Sequence, residues 1–446
     1  MQSLIFDRVV GTVSPLEFAT TICETFYTSL AQGVGTDVFP PNCHANAAVN
    51  TMDIEKQDYR FMLSGCADSS IKLWDLAEQE PVQGASGTAE EDGVDDDSYD
   101  HPRTTFARLA FIPRKTAHNF GVSCLSWWPL DNGMFISSSF DHTVKIWDTN
   151  ELTPVHTFDL ANRVYTFSIS YFEENAYSAS ALVAVASDQP FIKLLDLRTS
   201  SSSHTLTGHK GKTLCVKWHP QEHNILASGG FDGEVKIWDI RRSRSCLARL
   251  DMLRTNASDD SATENNLTNS SVRAHSGPVN GLIWDELGHI LYTAGNDDKI
   301  RVWDMVSSLA PPLNKLINFG PLTRNKYPQS IPLVLGPKYE SELQYLLFPS
   351  DNGDIFVFRT IDGKLVSRLS RKGSKTSGRT SSMVNAGPFT GTYYCGTMDG
   401  EIVTWRPKWE RTPVHDFTDV DNIKLAEDDK DFLANLQKTK KSLMGT

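Results

Sequence analysis

An all-β, seven-bladed propeller is the fold predicted by this 446-residue sequence, because one pattern recurs four times and three degenerate copies complete the count. The clear copies are LSGCADSSIKLWDL, ISSSFDHTVKIWDT, LASGGFDGEVKIWDI and YTAGNDDKIRVWDM, ending at Trp74, Trp147, Trp238 and Trp303 with an Asp after each. Six residues before each Trp stands an Asp: Asp68, Asp141, Asp232 and Asp297. Ten before stands a hydroxyl residue: Ser64, Ser137, Ser228 and Thr293. A His precedes the Trp by 28 to 30 residues: His44, His118, His209 and His275. Coincidence at four positions in four segments is internal repetition, which decides a fold before any local propensity does.

Each copy predicts part of a four-stranded blade. Alternation such as Val-Lys-Ile-Trp puts successive side chains on opposite faces of a strand. The Asp-Gly and Asp-Asp pairs before it predict a tight antiparallel turn. The weaker copies are DQPFIKLLDLR, with Leu195 at the Trp position and Asp188 one residue early; SDNGDIFVFRT, with Phe358 and Asn352; and TMDGEIVTWRP, with Trp405, Asp399 and Cys395. Marker intervals of 43, 47 and 48 residues suit one blade each, while 73 and 65 predict insertions. His, Ser/Thr, Asp and Trp at these positions resemble the hydrogen-bonded structural tetrad of WD-repeat propellers. No apolar strand follows Trp405, so residues near 36–40 (TDVFP) are expected to supply the last blade's outer strand and lock the ring. Such closure leaves only short, protected edges.

Residues 1–33 are expected to form a helical segment before the propeller, which spans 34–410, with a charged tail over 411–446. Ser14-Pro15-Leu16-Glu17 predicts an N-cap, a Pro in the first turn and a capping box. Ala19, Ile22, Cys23, Phe26 and Leu30 form a helical apolar stripe, and Gly33 is expected to end the helix. The stripe either folds back on the ring or serves as a docking arm. The acidic stretch 84–101 and the Asn/Ser-rich stretch 252–274 predict solvated insertions, and RKGSKTSGR (371–379) a small basic loop. A short helix near Phe432–Leu436 is expected in the tail.

The net charge of -12 disfavours direct nucleic-acid binding, which rests on Lys and Arg neutralising phosphates. Cysteines 23, 43, 66, 124, 215, 246 and 395 are scattered with no CxxC pair, predicting packing residues in a reducing compartment and no metal. Neither a secretory signal nor a run of 18 apolar residues occurs, so a soluble intracellular protein without a membrane partner is expected, its sequons at Asn256, Asn266 and Asn269 unused. His, Ser and Asp invite comparison with a hydrolase triad. Their fourfold recurrence assigns them to the fold, since a triad is a single constellation. No phosphate-cradling loop, HExxH or GxSxG is present, and neither catalysis nor a cofactor is expected.

The irregularities point further. Two neighbouring blades carry an Arg two residues beyond the Asp, Asp196–Arg198 and Asp239–Arg241, where other clear blades have Ala77, Asn150 and Val306. Planar guanidinium groups suit interface anchoring. The pair looks like the double DxR box of WD-repeat substrate receptors of cullin-four ubiquitin ligases. Further, MDIEKQDYRFMLSGCADSSIKLWDL, WWPLDNGMFISSSFDHTVKIWDTNEL, LVAVASDQPFIKLLDLR, ILASGGFDGEVKIWDIRR, RAHSGPVNGLIWDELGHILYTAGNDDKIRVWD and GTMDGEIVTWRP resemble the Cockayne syndrome group A family of those receptors. The resemblance runs from about residue 4 to 410, and Pro129–Phe135 is its most distinctive part. It implies that Asp196, Arg198, Asp239 and Arg241, with Ile22 and Phe26 of the leading helix, contact the damaged-DNA-binding adaptor subunit. It also implies a nuclear role in transcription-coupled nucleotide excision repair, with the Cockayne group B remodeller or proteins around stalled RNA polymerase II as targets. The two insertions have no counterpart in that resemblance. The alternative is a scaffold subunit of another nuclear complex, histone-binding or RNA-processing.

Overall fold

The computed structural model describes residues 2–407 apart from 33–38, 41–42, 45–46, 82–103, 115, 171–181, 243–245, 256–271, 307–311, 338–342 and 372–377. The acidic insertion, most of the Asn/Ser-rich one, most of the basic loop and the tail thus lie outside the described residues. Seven four-stranded antiparallel sheets form the blades. In six of them the strands follow chain order, as in blade two: Val122–Trp127, Met134–Ser139, Thr143–Asp148 and Pro154–Asp159. First strands of successive blades pack on one another around the axis. All third strands therefore end on one face of the ring, and all second-to-third-strand turns lie on the other.

Two irregularities recur and give the blades their twist. The first strand bulges near its start in six blades, for instance between Val122 and Cys124. The third strand's pairing with the fourth shifts just before the Trp position in five, for instance between Ile146 and Trp147. An extra residue at a bulge bends a strand and raises its right-handed twist. The residue after the turn Asp or Asn is left-handed in six blades: Ser69, His142, Gly233, Asp298, Gly353 and Gly400. Blade three is the exception, its Asp188 standing one residue early and followed by Gln189-Pro190. Each repeat Trp is wholly buried against the preceding blade, as Trp147 is among Leu63 and Leu73.

The last blade closes as expected in kind but not in position. Its outer strand is Leu30–Gln32, pairing Leu30 with Pro407 and Gln32 with Trp405, not residues near 36–40. Consequently helix α2 (Pro15–Ser29) ends at Ser29, four residues before Gly33, because the chain must leave the helix to reach the edge of Ile402–Pro407. The capping box is present: Glu17 N–H donates to Ser14 Oγ at 3.2 Å, and Ser14 N–H to Glu17 Oε2 at 3.1 Å. Residues 2–10 form a separate helix, α1 (Gln2–Val10).

The wholly buried face of α2 is Ala19, Cys23 and Tyr27, spaced one turn apart. Tyr27 was not in the expected stripe, yet it is 0% exposed, with its ring 4.4 Å from that of Tyr345 and its hydroxyl 3.5 Å from that of Tyr393. Ile22 and Phe26 lie half-buried at the margin. The far end of α2 is fixed electrostatically, Arg359 donating to Glu24 at 3.0 Å with Lys364 3.3 Å from the same oxygen.

Candidate protein-docking face

Three tetrads are complete. In blade two His118 Nε2 meets Ser137 Oγ at 2.7 Å, Trp147 Nε1–H donates to that oxygen at 2.8 Å, and His118 Nδ1 meets Asp141 at 3.0 Å. Blade four repeats this through His209, Ser228, Asp232 and Trp238, and blade five through His275, Thr293, Asp297 and Trp303. Burial pushes the Asp232 carboxyl up, but bonds from His209, Lys210 N–H and Glu234 N–H outweigh it and hold it at about 2. Asp141 and Asp297 are held low in the same way. Each hydroxyl oxygen is sealed inside a blade and engaged by an indole, an arrangement that locks strands and gives a nucleophile no access to substrate.

Blade one is incomplete. His44 bonds Ser64 at 2.8 Å and Trp74 donates to Ser64 at 2.9 Å, but Asp68 turns to Ser70, taking its N–H at 2.9 Å and hydroxyl at 2.6 Å. His44 Nδ1 has no hydrogen-bond partner among the described residues. Burial, reinforced by the Lys72 ammonium, lowers this imidazole to about 3. Two groups, His44–Cys66–Asp68 and His209–Asp232–Glu234, carry donor atoms of the kind metals take. Both are tetrad members with their neighbours, and Glu234 is already neutralised by Lys236 at 3.0 Å and by Arg249. All seven cysteines are unbridged, and no described helix is long and apolar enough to cross a membrane.

The arginines predicted as anchors stand on the face where third strands end. Asp239 is buried, and Arg241 grips it through Nε and a terminal nitrogen, each at 3.0 Å, while the Arg241 backbone N–H donates at 3.0 Å. The forked bond from Arg241 is what chiefly holds the Asp239 carboxyl low. Most of the Arg241 side chain remains exposed, and Arg242 lies 3.5 Å from the same carboxylate. Arg198 is looser. Its N–H bonds Asp196 at 2.9 Å, but its Nε stands 3.8 Å away and the side chain is 70% exposed.

A third rim arginine was missed. Arg60, in the turn before blade one's second strand, forks onto Asp75, the Asp after Trp74, with Nε 3.0 Å from both oxygens. Because it precedes the Asp by fifteen residues, no DxR spacing reveals it. The same face receives α2 at blades six and seven. Exposed apolar residues gather on the helical segment, namely Ile5, Phe6, Val9, Val10 and Leu16. On the opposite face a cavity of about 330 Å³ opens at the axis, lined by Phe140, Tyr165, Lys212, Phe231, Arg379 and Met398 among others.

The family described as WD domain, G-beta repeat matches residues 36–75, 111–148, 200–239 and 267–304, the four segments ending in Trp-Asp. The chain is 25% identical over 384 residues to the WD repeat-containing protein ATCSA-1 of Arabidopsis thaliana, covering 73% of this chain and 80% of that one. It is 31% identical over 270 residues to radiation-sensitive protein 28 of Saccharomyces cerevisiae, covering 56% of this chain but only 51% of the yeast protein. A ribosome biogenesis protein WDR12 homolog of Drosophila erecta is 27% identical over 202 residues, 45% of this chain and 42% of its own. Such propellers usually serve as non-catalytic scaffolds or receptors. With repeat, tetrad and ring in agreement, the chain carries WD repeats on a seven-bladed propeller.

Proposed function

We propose that the protein is a non-catalytic substrate receptor of a cullin-RING ubiquitin ligase, docking on the damaged-DNA-binding adaptor and acting in nuclear transcription-coupled repair. The observation that carries this is the pair of Asp-tethered arginines, Arg198 and Arg241, on neighbouring blades of one face. Likeness to a plant protein named for CSA and a yeast protein named for radiation sensitivity supports it. The mechanism is proximity. The arginine face and the helical segment grip the adaptor, leaving the opposite face to hold a target, such as the Cockayne group B remodeller or a component around stalled RNA polymerase II, near a charged ubiquitin-conjugating enzyme.

The test is capture of the adaptor by wild type and by an Arg198→Ala/Arg241→Ala pair. A central interface arginine costs roughly 2 kcal/mol or more on truncation, so the pair should lose capture almost entirely. Unchanged capture would remove the arginines from the interface, and absence of the adaptor from the wild-type capture would remove the ligase role. The fly relative supports a second reading, a ribosome-assembly scaffold. That reading predicts co-sedimentation with pre-ribosomal particles, unaffected by the arginine pair.

A further inference from the structure

The connection between the first two strands of blade seven, residues 386–392, lies on the arginine face and has an unusual backbone. Gly387, Phe389 and Gly391 have φ of 129°, 60° and 58°. Glycine adopts such angles readily, whereas a bulky aromatic residue does so only under constraint. The constraint is visible. Gly387 N–H donates to Asn385 Oδ1 at 2.7 Å, and Thr390 Oγ1 donates back to Gly387 O at 2.9 Å. A Cβ on Gly387 would stand 2.7 Å from the Tyr59 ring of blade one, and one on Gly391 would stand 2.5 Å from the Phe26 ring of α2. The loop is thus wedged between the two other parts of the face, beside Arg60 on one side and the helical segment on the other.

The residue this rigid wedge presents is Phe389, at 80% exposure one of the two most exposed large apolar side chains described. Strained backbone persists where surroundings over-determine it, and such positions cluster at binding sites. An aromatic group held without rotamer-rich or backbone freedom loses little entropy on insertion into a partner, which is how interface hot spots arise. Arg60, 44% exposed beside its Asp75 partner, and the exposed apolar residues of the helical segment flank this loop, so the fitting partner surface is an apolar pocket with a carboxylate on its Arg60 side.

We propose that Phe389, held out by the wedge between Tyr59 and Phe26, is the aromatic anchor of the arginine face and inserts into an apolar pocket of the adaptor bound there. The inference rests on the adaptor-docking function proposed above. The deciding variant is Phe389→Gly, which removes the ring but suits the left-handed backbone, so binding and folding should move in opposite directions. Calorimetric titration of full-length wild type, Phe389→Gly and Phe389→Tyr with the purified damaged-DNA-binding adaptor, alongside melting curves, reads both.

The expected result is adaptor affinity at least about 30-fold weaker for Phe389→Gly, at an unchanged or higher melting temperature, with Phe389→Tyr near wild type. Unchanged affinity in Phe389→Gly, with wild type binding, overturns the anchor and leaves the adaptor function standing. Weaker binding with a lower melting temperature also overturns it, since Phe389 would then be holding its own loop together. If wild type does not bind the adaptor, the adaptor function falls and the anchor with it.

Discussion

At the residue scale, the same short pattern does different work according to what its neighbours leave available. Arg241 and Arg198 occupy equivalent sequence positions, yet one is forked onto a buried carboxylate and the other, 70% exposed, only approaches its Asp at 3.8 Å. A pre-positioned Arg241 loses less freedom on binding, so Arg241→Ala should weaken adaptor capture more than Arg198→Ala, a difference that separate single-variant titrations would read. Glycines divide similarly. Gly233 has φ of 77° and no room, since a Cβ would stand 2.5 Å from His275 O, whereas Gly320 has φ of 79° and nothing within 4 Å. Gly320→Ala should therefore cost only the left-handed penalty, roughly 1–2 kcal/mol, and Gly233→Ala clearly more, as paired urea-unfolding curves would show. The tetrads were legible as spacing, because four copies repeat it. The turning away of Asp68 and the Arg60–Asp75 fork were not, since both depend on side-chain directions across turns that spacing does not encode.

At the element scale, α2 is part of the ring rather than an appendage. Cys23, Tyr27 and Leu30 share one buried cluster with Tyr345, Tyr393 and Trp405 of blades six and seven. Tyr27→Ala removes a fully buried aromatic ring and should destabilise by about 3–5 kcal/mol, measured by denaturant unfolding. Deleting residues 1–33 should go further and unfold the ring, because it also removes the closing strand. Deleting 2–10 alone should leave the melting temperature nearly unchanged, since Ile5, Phe6, Val9 and Val10 are exposed. A stable ring without residues 1–33 would show that α2 merely rests on it. The capping box is readable from Ser14-Pro15-Leu16-Glu17, and the apolar stripe correctly includes Ala19, Cys23 and Leu30 but omits Tyr27. Tyr27 is half polar, and its burial depends on its hydroxyl finding Tyr393 across the ring, which local spacing does not encode; the helix end is hard to place because a three-residue strand leaves almost no signature.

At the scale of the whole molecule, buried imidazoles make stability depend on pH. His44, His118 and His275 are held below their ordinary values, primarily by burial, His44 at about 3. Below about pH 6.5 the unfolded chain takes up protons that the folded chain refuses, so stability is lost as pH falls, by up to about 1.4 kcal/mol per pH unit for each such histidine. The tetrad carboxylates run on a lower window. Asp232, at about 2, keeps its contribution above about pH 4 and loses it only as pH falls towards 2. Urea midpoints should therefore fall between pH 7.5 and 5.0, with a shallower slope in His44→Gln; a midpoint constant over that range would refute the assignment. The seven-blade count was legible even through Leu195 and Phe358, because the interval between markers survives loss of the marker itself.

The pairing of Leu30–Gln32 with Trp405–Pro407 also sets a timetable. Two segments more than 370 residues apart in the chain must meet before the last sheet has its fourth strand. At a synthesis rate of about 5–20 residues per second, the early segment leaves the ribosome tens of seconds before its mate exists. Through that interval the six other blades can form while the seam stands open, with an unpaired sheet edge of the kind that invites aggregation. Completion of this protein is therefore a late event, and truncation inside the last blade, before its strand Ile402–Pro407, should leave a ring that is nearly whole yet unsealed.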